Sequence, residues 1–250
     1  MVNKKEILNL YKNMGETPLE CLERFKVENP KWQGVPMTYA GRLDPMAKGL
    51  LLVLAGDIDE TEKKKLLLLD KTYEFEVLWG IKTDTYDILG LPTVGGGIPS
   101  VESIESETNK LVGKRSQKYP PYSSKPVKGR PLFSYARAGN IDEIDIPQKE
   151  IAVFSAGILS QRKIMGKELL AEIISGVSRV KGDFRQEEII GKWKEVLSNK
   201  LDSEFLITKM CAEVSSGTYI RSIANELGEK LGCGACAYSI KRTQIGGYSI

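Results

Sequence analysis

The sequence predicts an α+β domain with a central, mainly antiparallel sheet and flanking helices. Two hydrophobic periods lead to this class. Alternating and continuous apolar runs mark strands, and stripes of period 3.6 mark helices. They follow one another irregularly, with no repeat and no clear linker between them.

Thr17-Pro18-Leu19-Glu20 opens the first helix. Thr17 caps it, Pro18 suits its first turn and Glu20 completes a capping box, so the helix runs to about Val27. Leu50 to Ala55 is a continuous apolar run, the pattern of a buried strand. Tyr73, Phe75 and Val77 alternate with Glu74, Glu76 and Leu78, a strand with two unlike faces. Gly90 to Ser100 reads as a loop, with Gly95-Gly96-Gly97 as its flexible part. It lacks the G-K-[ST] ending of a phosphate loop, so it is read as a linker. Val101 to Val112 has helical spacing. Arg185 to Leu201 places Ile190, Trp193, Leu197 and Leu201 on one stripe, read as core packing. Phe205 to Val214 reads as a strand leading into Ser215-Ser216-Gly217-Thr218. The last helix sets Ile220, Ile223, Ala224, Leu227 and Leu231 on one face and stops at Gly232.

Composition limits the chemistry. The 250 residues are 41% hydrophobic and 28% charged, ordinary for a soluble globular protein. No apolar run approaches the length of a membrane span, and the first residues lack the apolar core of a signal peptide. A cytoplasmic protein without a membrane partner is the expectation. The chain has no histidine, which excludes Ser-His and Cys-His nucleophile pairs, histidine general bases and histidine metal ligands. Cys233-Gly-Ala-Cys236 has C-x-x-C spacing, but only Cys21 and Cys211 remain to complete a thiol site. It is read as a helix end followed by packed small residues, with no metal.

The net charge of +3 is modest, but its distribution is uneven. From Asn109 to Asn140 there is no acidic residue. Lys110, Lys114, Arg115, Lys118, Lys125, Lys128, Arg130 and Arg137 fall there, interleaved with Tyr119, Tyr122, Phe133 and Tyr135. Positive groups neutralise phosphates and aromatic faces stack on exposed bases, so the window is read as a nucleic-acid surface. A solvated basic loop with core aromatics is the bland reading.

Tyr39-Ala-Gly-Arg-Leu-Asp-Pro-Met-Ala-Lys-Gly49 carries Asp44 between an arginine and a proline, in the connection leading into the buried strand. A scaffold can hold a charged group in a cleft at such a place. Leu-Asp-Pro is also good turn chemistry, so a surface turn is the alternative.

Four segments, in order, resemble the TruB family of tRNA pseudouridine synthases. They are Gly41 to Leu50; Lys71-Thr-Tyr73 through Gly80, Thr83-Asp-Thr85, Asp87 and Gly90; Gln117 through Pro120-Pro121-Tyr122-Ser123 to Gly139; and Ser216-Gly-Thr-Tyr-Ile-Arg221 through Gly232 to Ile240-Lys241-Arg242. Lys12 and Gly15 also fit the family's opening segment.

The resemblance implies the pseudouridine synthase fold, with an RNA-binding cleft across the sheet. It implies a reaction on a uridine in the T-loop of tRNA, at position 55, that needs no cofactor and no obligatory protein partner. Asp44 is then the catalytic carboxylate, acting as a nucleophile at C1′ or as a base at C2′. Arg221 is its cationic partner, able to orient it through hydrogen bonds. Tyr73 is the active-site tyrosine, which stacks on the flipped base, and Ile240 packs against that base. On pattern alone, both are equally core residues. Lys12 and Lys71 are assigned as phosphate contacts.

Two departures stand out. Tyr39 replaces the family's usual histidine, and Arg42 stands where a small residue is usual. Together they are expected to fill the space left by the flipped base, with a solvent-facing Arg42 as the alternative. With eight residues after Lys241-Arg242, the small C-terminal RNA-binding (PUA) domain of many members is expected to be absent. Residues 161–204 are extra, and their Lys163, Lys167, Lys192 and Lys194 are expected to supply RNA contacts, with a solvated helical surface as the alternative. Two rival functions stay open: a non-catalytic RNA-folding module, and a synthase for a different RNA.

Overall fold

The computed structural model describes residues 5–250. In chain order its strands are β1 (Glu6–Lys12), β2 (Met37–Ala40), β3 (Ala47–Ala55), β4 (Lys71–Trp79), β5 (Ile81–Thr83), β6 (Pro92–Val94), β7 (Gly113–Lys118), β8 (Pro126–Val127), β9 (Arg130–Pro131), β10 (Gln148–Met165), β11 (Glu204–Val214), β12 (Ala235–Ile245) and β13 (Tyr248–Ser249). The helices are α1 (Pro18–Glu28), α2 (Glu60–Leu68), α3 (Val101–Asn109), α4 (Leu132–Arg137), α5 (Gly166–Ser178), α6 (Gln186–Leu197) and α7 (Ile220–Lys230).

One sheet runs β1-β3-β12-β4-β11-β10-β7, with β2 on β3 and β13 on β12. Its pairings are antiparallel except β3 with β12. That parallel pairing is short, Ile240 with Ala47 through Arg242 with Gly49, and it sets the start of β3 beside the second half of β12. Gly49, at φ 110°, permits it: a Cβ there would lie 2.3 Å from the Arg242 carbonyl oxygen.

The sequence patterns explain the layers. Tyr73, Phe75 and Val77, on one face of β4, pack with Ile220, Ile223, Ala224 and Leu227 of α7. Leu78, Ile207 and Cys236 join Leu169, Ile173, Val177, Ile189, Trp193 and Leu197 of α5 and α6 in a second cluster. β3 is buried throughout most of its length because neighbouring elements take both its faces: Leu50, Leu52 and Leu54 pack with Leu66 of α2, and Leu51 and Val53 with Cys21 and Leu22 of α1. The α1 capping box forms, with Thr17 Oγ1 accepting from Glu20 N and Glu20 Oε2 accepting from Thr17 N.

Three expectations need correction. Gly95 and Gly96 are not a flexible linker. Their amides donate to the Gly80 and Cys233 carbonyls at 2.8 Å each, and they pack directly on the chain after α7. The α3 helix stops at Asn109, not Val112. In α6 the buried stripe is Ile189, Trp193 and Leu197, while Ile190 is only partly buried and Leu201 lies beyond the helix. With Leu169, Ile173 and Val177 of α5, that stripe puts the inner faces of both helices in the core. Trp193 Nε1 donates to the Ile88 carbonyl at 3.2 Å.

Candidate active site

Residues 41–46 join β2 to β3 and carry Asp44. The Asp44 carbonyl accepts from Ala47 N at 3.0 Å, closing a turn into β3. Two buried cations hold this loop. Lys12, 0% exposed at the end of β1, donates to the carbonyls of Asn13, Pro45 and Ala47 at 2.9, 3.3 and 2.6 Å. Arg242 donates through Nε to the Leu50 carbonyl at 2.8 Å, and through Nη2 and Nη1 to Gly41 and Arg42 at 3.2 and 3.4 Å. Such spending of every charge on backbone acceptors is what burial of a cation requires. Burial lowers the Lys12 pKa to about 8.

Arg221, in the first turn of α7, meets this loop from another side. Its Nε donates to Asp44 Oδ2 at 2.7 Å. Nη1 donates to the Thr85 carbonyl, and Nη2 to the Tyr122 carbonyl at 3.3 Å. The Arg221 side chain is 4% exposed and that of Asp44 is 40% exposed. The guanidinium is therefore a buried anchor and the carboxylate reaches the opening. Asp87 Oδ2 lies 3.6 Å from the same Nε. Burial raises the Asp87 pKa to about 6, against the pull of Arg221 and with the push of Asp44. For Arg221, burial alone would lower the pKa, but Asp44 and Asp87 together raise it.

Asp44 opens into a cavity of about 750 Å³. Tyr73 and Ile240, both under one-tenth exposed, line it and also belong to the α7-side core. The two readings of each residue thus coincide: core on one side, cavity wall on the other. Tyr39 and Arg42 line the cavity too, and Arg42 is exposed, its Nη1 donating to Ser124 Oγ at 3.0 Å.

The phosphate roles assigned to two lysines do not fit. Lys12 is turned inward with its amine on three carbonyls. Lys71 lies at the cavity wall, but its amine donates to the Leu67 carbonyl at 2.7 Å and to Leu69 as well. Burial, with Arg242 nearby, lowers its pKa to about 8. In the basic window Arg115 pairs with Glu226, Arg137 with Asp183 and Lys110 with Glu107, whereas Lys114, Lys118, Lys128 and Arg130 are exposed. Of the lysines in 161–204, Lys163 and Lys192 pair with Glu204 and Glu195.

Sequence reasoning missed Asp87 and Arg242 as working parts. The signal for Arg242 was spacing: it is two residues from Ile240 on one strand, and so shares its face. Asp87 stood in the quoted Thr83 to Gly90 run without a role. Phe184 and Arg185, which also line the cavity, gave no sequence signal.

Comparison with known proteins identifies the family. The family described as "TruB family pseudouridylate synthase (N terminal domain)" matches residues 33–178. The chain is 30% identical over 238 residues to the tRNA pseudouridine synthase B of Nitratidesulfovibrio vulgaris, covering 94% of this chain and 62% of that protein. It is 30% identical over 241 residues to that of Aquifex aeolicus, covering 96% and 68%. It thus spans about two thirds of the length of these relatives. Among solved structures, the crystal structure of a Cbf5-Nop10-Gar1 complex matches 97% of this chain and 49% of its counterpart, with a TM-score of 0.59 at 18% identity. That likeness shows the pseudouridine synthase fold. With the family matched over more than half its residues, this chain belongs to the TruB family of pseudouridylate synthases.

Proposed function

We propose that this chain isomerises uridine to pseudouridine in the T-loop of tRNA, at position 55. The observation that carries the reading is the Asp44–Arg221 pair: a carboxylate at the mouth of a cavity, held through Oδ2 by a buried guanidinium. Among the described residues Oδ1 has no hydrogen-bond partner, so it is available to a substrate.

A base inside a folded loop is reached by flipping it out. The cavity suits a flipped nucleotide, with Tyr73 and Ile240 as apolar walls for the base and Asp44 at the ribose. The N1–C1′ bond breaks, the base turns, and a C5–C1′ bond forms. C5 then loses its proton and N1 gains one. Asp44 serves this as a nucleophile at C1′ or as a base at C2′. Tyr73, on the cavity wall, stacks on the base, and its hydroxyl assists proton transfer. Tyr39 and Arg42 stand at the rim, where they can occupy the gap left in the RNA loop. The exposed cations of the 109–139 segment supply phosphate contacts, and single-stranded loops are what proteins read in RNA.

The test is the position of the product. Unmodified tRNA and an unrelated stem-loop are incubated with the protein, and pseudouridine is mapped by carbodiimide adducts that stop reverse transcription. A single stop in the T-loop of tRNA, with none on the stem-loop, supports the reading. Equal modification of both RNAs refutes the T-loop assignment.

A further inference from the structure

The turn between α5 and α6 reaches the active site through Phe184 and Arg185, and of the two Arg185 carries the polar contacts. Arg185 sits there in the left-handed region, at φ 62° and ψ 30°. That conformation is costly for a residue with a side chain and persists only when its surroundings fix it. Two contacts do so. Arg185 Nη2 donates to Asp84 Oδ2 at 2.9 Å, and the guanidinium carbon lies 4.6 Å from the centre of the Tyr122 ring. The Arg185 and Asp84 side chains are 20% and 31% exposed, so the pair is largely shielded from water. A second tie joins the same turn to α4, where Arg137 donates to Asp183.

Asp84 and Tyr122 belong to two separate loops, and each loop grips Arg221. Thr85, next to Asp84, accepts from Nη1, and Tyr122 itself accepts from Nη2. Arg185 therefore bridges the two backbone segments that hold the terminal nitrogens of the residue bound to Asp44.

We propose that Arg185 is a positioning residue: it clamps the Asp84 and Tyr122 loops together and so fixes Arg221, and through it Asp44. This deepens the function proposed above and rests on Asp44 being the reacting carboxylate. It also gives residues 161–204 a role apart from their lysines. Arginine suits the clamp because its flat face stacks while its edge donates to a carboxylate. Lysine can keep the ion pair but not the stack. Reacting groups displaced by about 1 Å can cost on the order of a hundredfold in rate. A loosened clamp should therefore be read in rate more than in binding.

The experiment uses Arg185→Ala and Arg185→Lys with two readouts. The first needs no substrate: amide hydrogen exchange in peptides spanning 84–89 and 119–125. Arg185→Ala should exchange faster in both segments, with the α7 core unchanged. The second is the single-turnover rate of pseudouridine formation beside the Kd for tRNA. The rate should fall at least tenfold in Arg185→Ala while Kd stays within threefold, and Arg185→Lys should recover part of the rate. Unchanged exchange in both segments overturns the proposal whatever the activity. So does an unchanged rate, or a rate loss matched by weaker binding. If Arg185→Ala does not fold, Arg185→Lys carries the same readouts with smaller effects. A wild-type protein inactive on every RNA would refute the proposed function, and the exchange result would then decide the clamp.

Discussion

Asp87 Oδ2 lies 3.6 Å from Arg221 Nε, so one buried guanidinium serves two carboxylates. Thr85 Oγ1 and the Leu89 amide donate to the Asp87 carboxylate at 2.8 and 3.0 Å. Burial nonetheless raises its pKa from 3.8 to about 6. Between those values the folded protein holds a proton that the unfolded chain has released. The stabilisation from that proton is complete below about pH 4 and is lost as pH rises through about 6. Asp87→Asn removes the titration. The stability of wild type relative to Asp87→Asn should fall by about 3 kcal/mol between pH 4 and pH 7. Urea unfolding of both proteins across that range measures it, and a flat difference would contradict the linkage.

Lys12 should behave as part of the scaffold, not as an RNA contact. Lys12→Met takes a donor from three carbonyls, of which the contact to Ala47 is buried, at a cost of about 1–3 kcal/mol. The slope of log Kd for tRNA against log salt should not change, because no phosphate contact is lost. Unfolding curves and a salt titration separate the two roles.

The opposite is expected on the β8–β9 hairpin. Lys128 and Arg130 are exposed there, and neither forms an ion pair among the described residues. Each alanine substitution should weaken tRNA binding and flatten the salt slope by about one counterion, with little change in the rate at saturation. Arg115→Ala should instead act mainly on stability, since Arg115 pairs with Glu226.

Gly95→Ala should destabilise the fold. A Cβ at Gly95 would lie 1.9 Å from the Cys233 carbonyl oxygen, and backbone cannot yield as a flexible side chain can. Overpacking of this kind costs about 1–3 kcal/mol. Gly97→Ala is the control, because nothing lies within 4 Å of its Cβ position. Denaturant midpoints of the two variants should differ clearly.

The fold class was legible because it rests on local pattern. The capping box at Thr17, the apolar run into Ala55, the alternation at Tyr73 and the stripe of α7 are all short-range signals, and each forms. Asp44 and Arg221 were legible through motif, and the structure brings them to 2.7 Å. What was hidden depends on contacts distant in sequence. Nothing near Lys12 says that its amine will meet the Pro45 and Ala47 carbonyls. Gly95 looks like a flexible tract because its packing partner, Cys233, lies far along the chain. Arg185 reads as one more cation in a mixed helix, since Asp84 and Tyr122 are remote from it.

Tritium release from tRNA carrying 5-tritiated uridine, with Asp44→Asn beside wild type, tests the catalytic assignment most directly. Pseudouridine formation frees the hydrogen at C5, so release reports the chemistry itself. About one equivalent released per tRNA by wild type, and none by a folded Asp44→Asn that still binds tRNA, is the expected result. Equal release by both proteins would remove Asp44 from the chemistry. No release by either, with salt-sensitive binding intact, would leave an RNA-binding protein and contradict the isomerase.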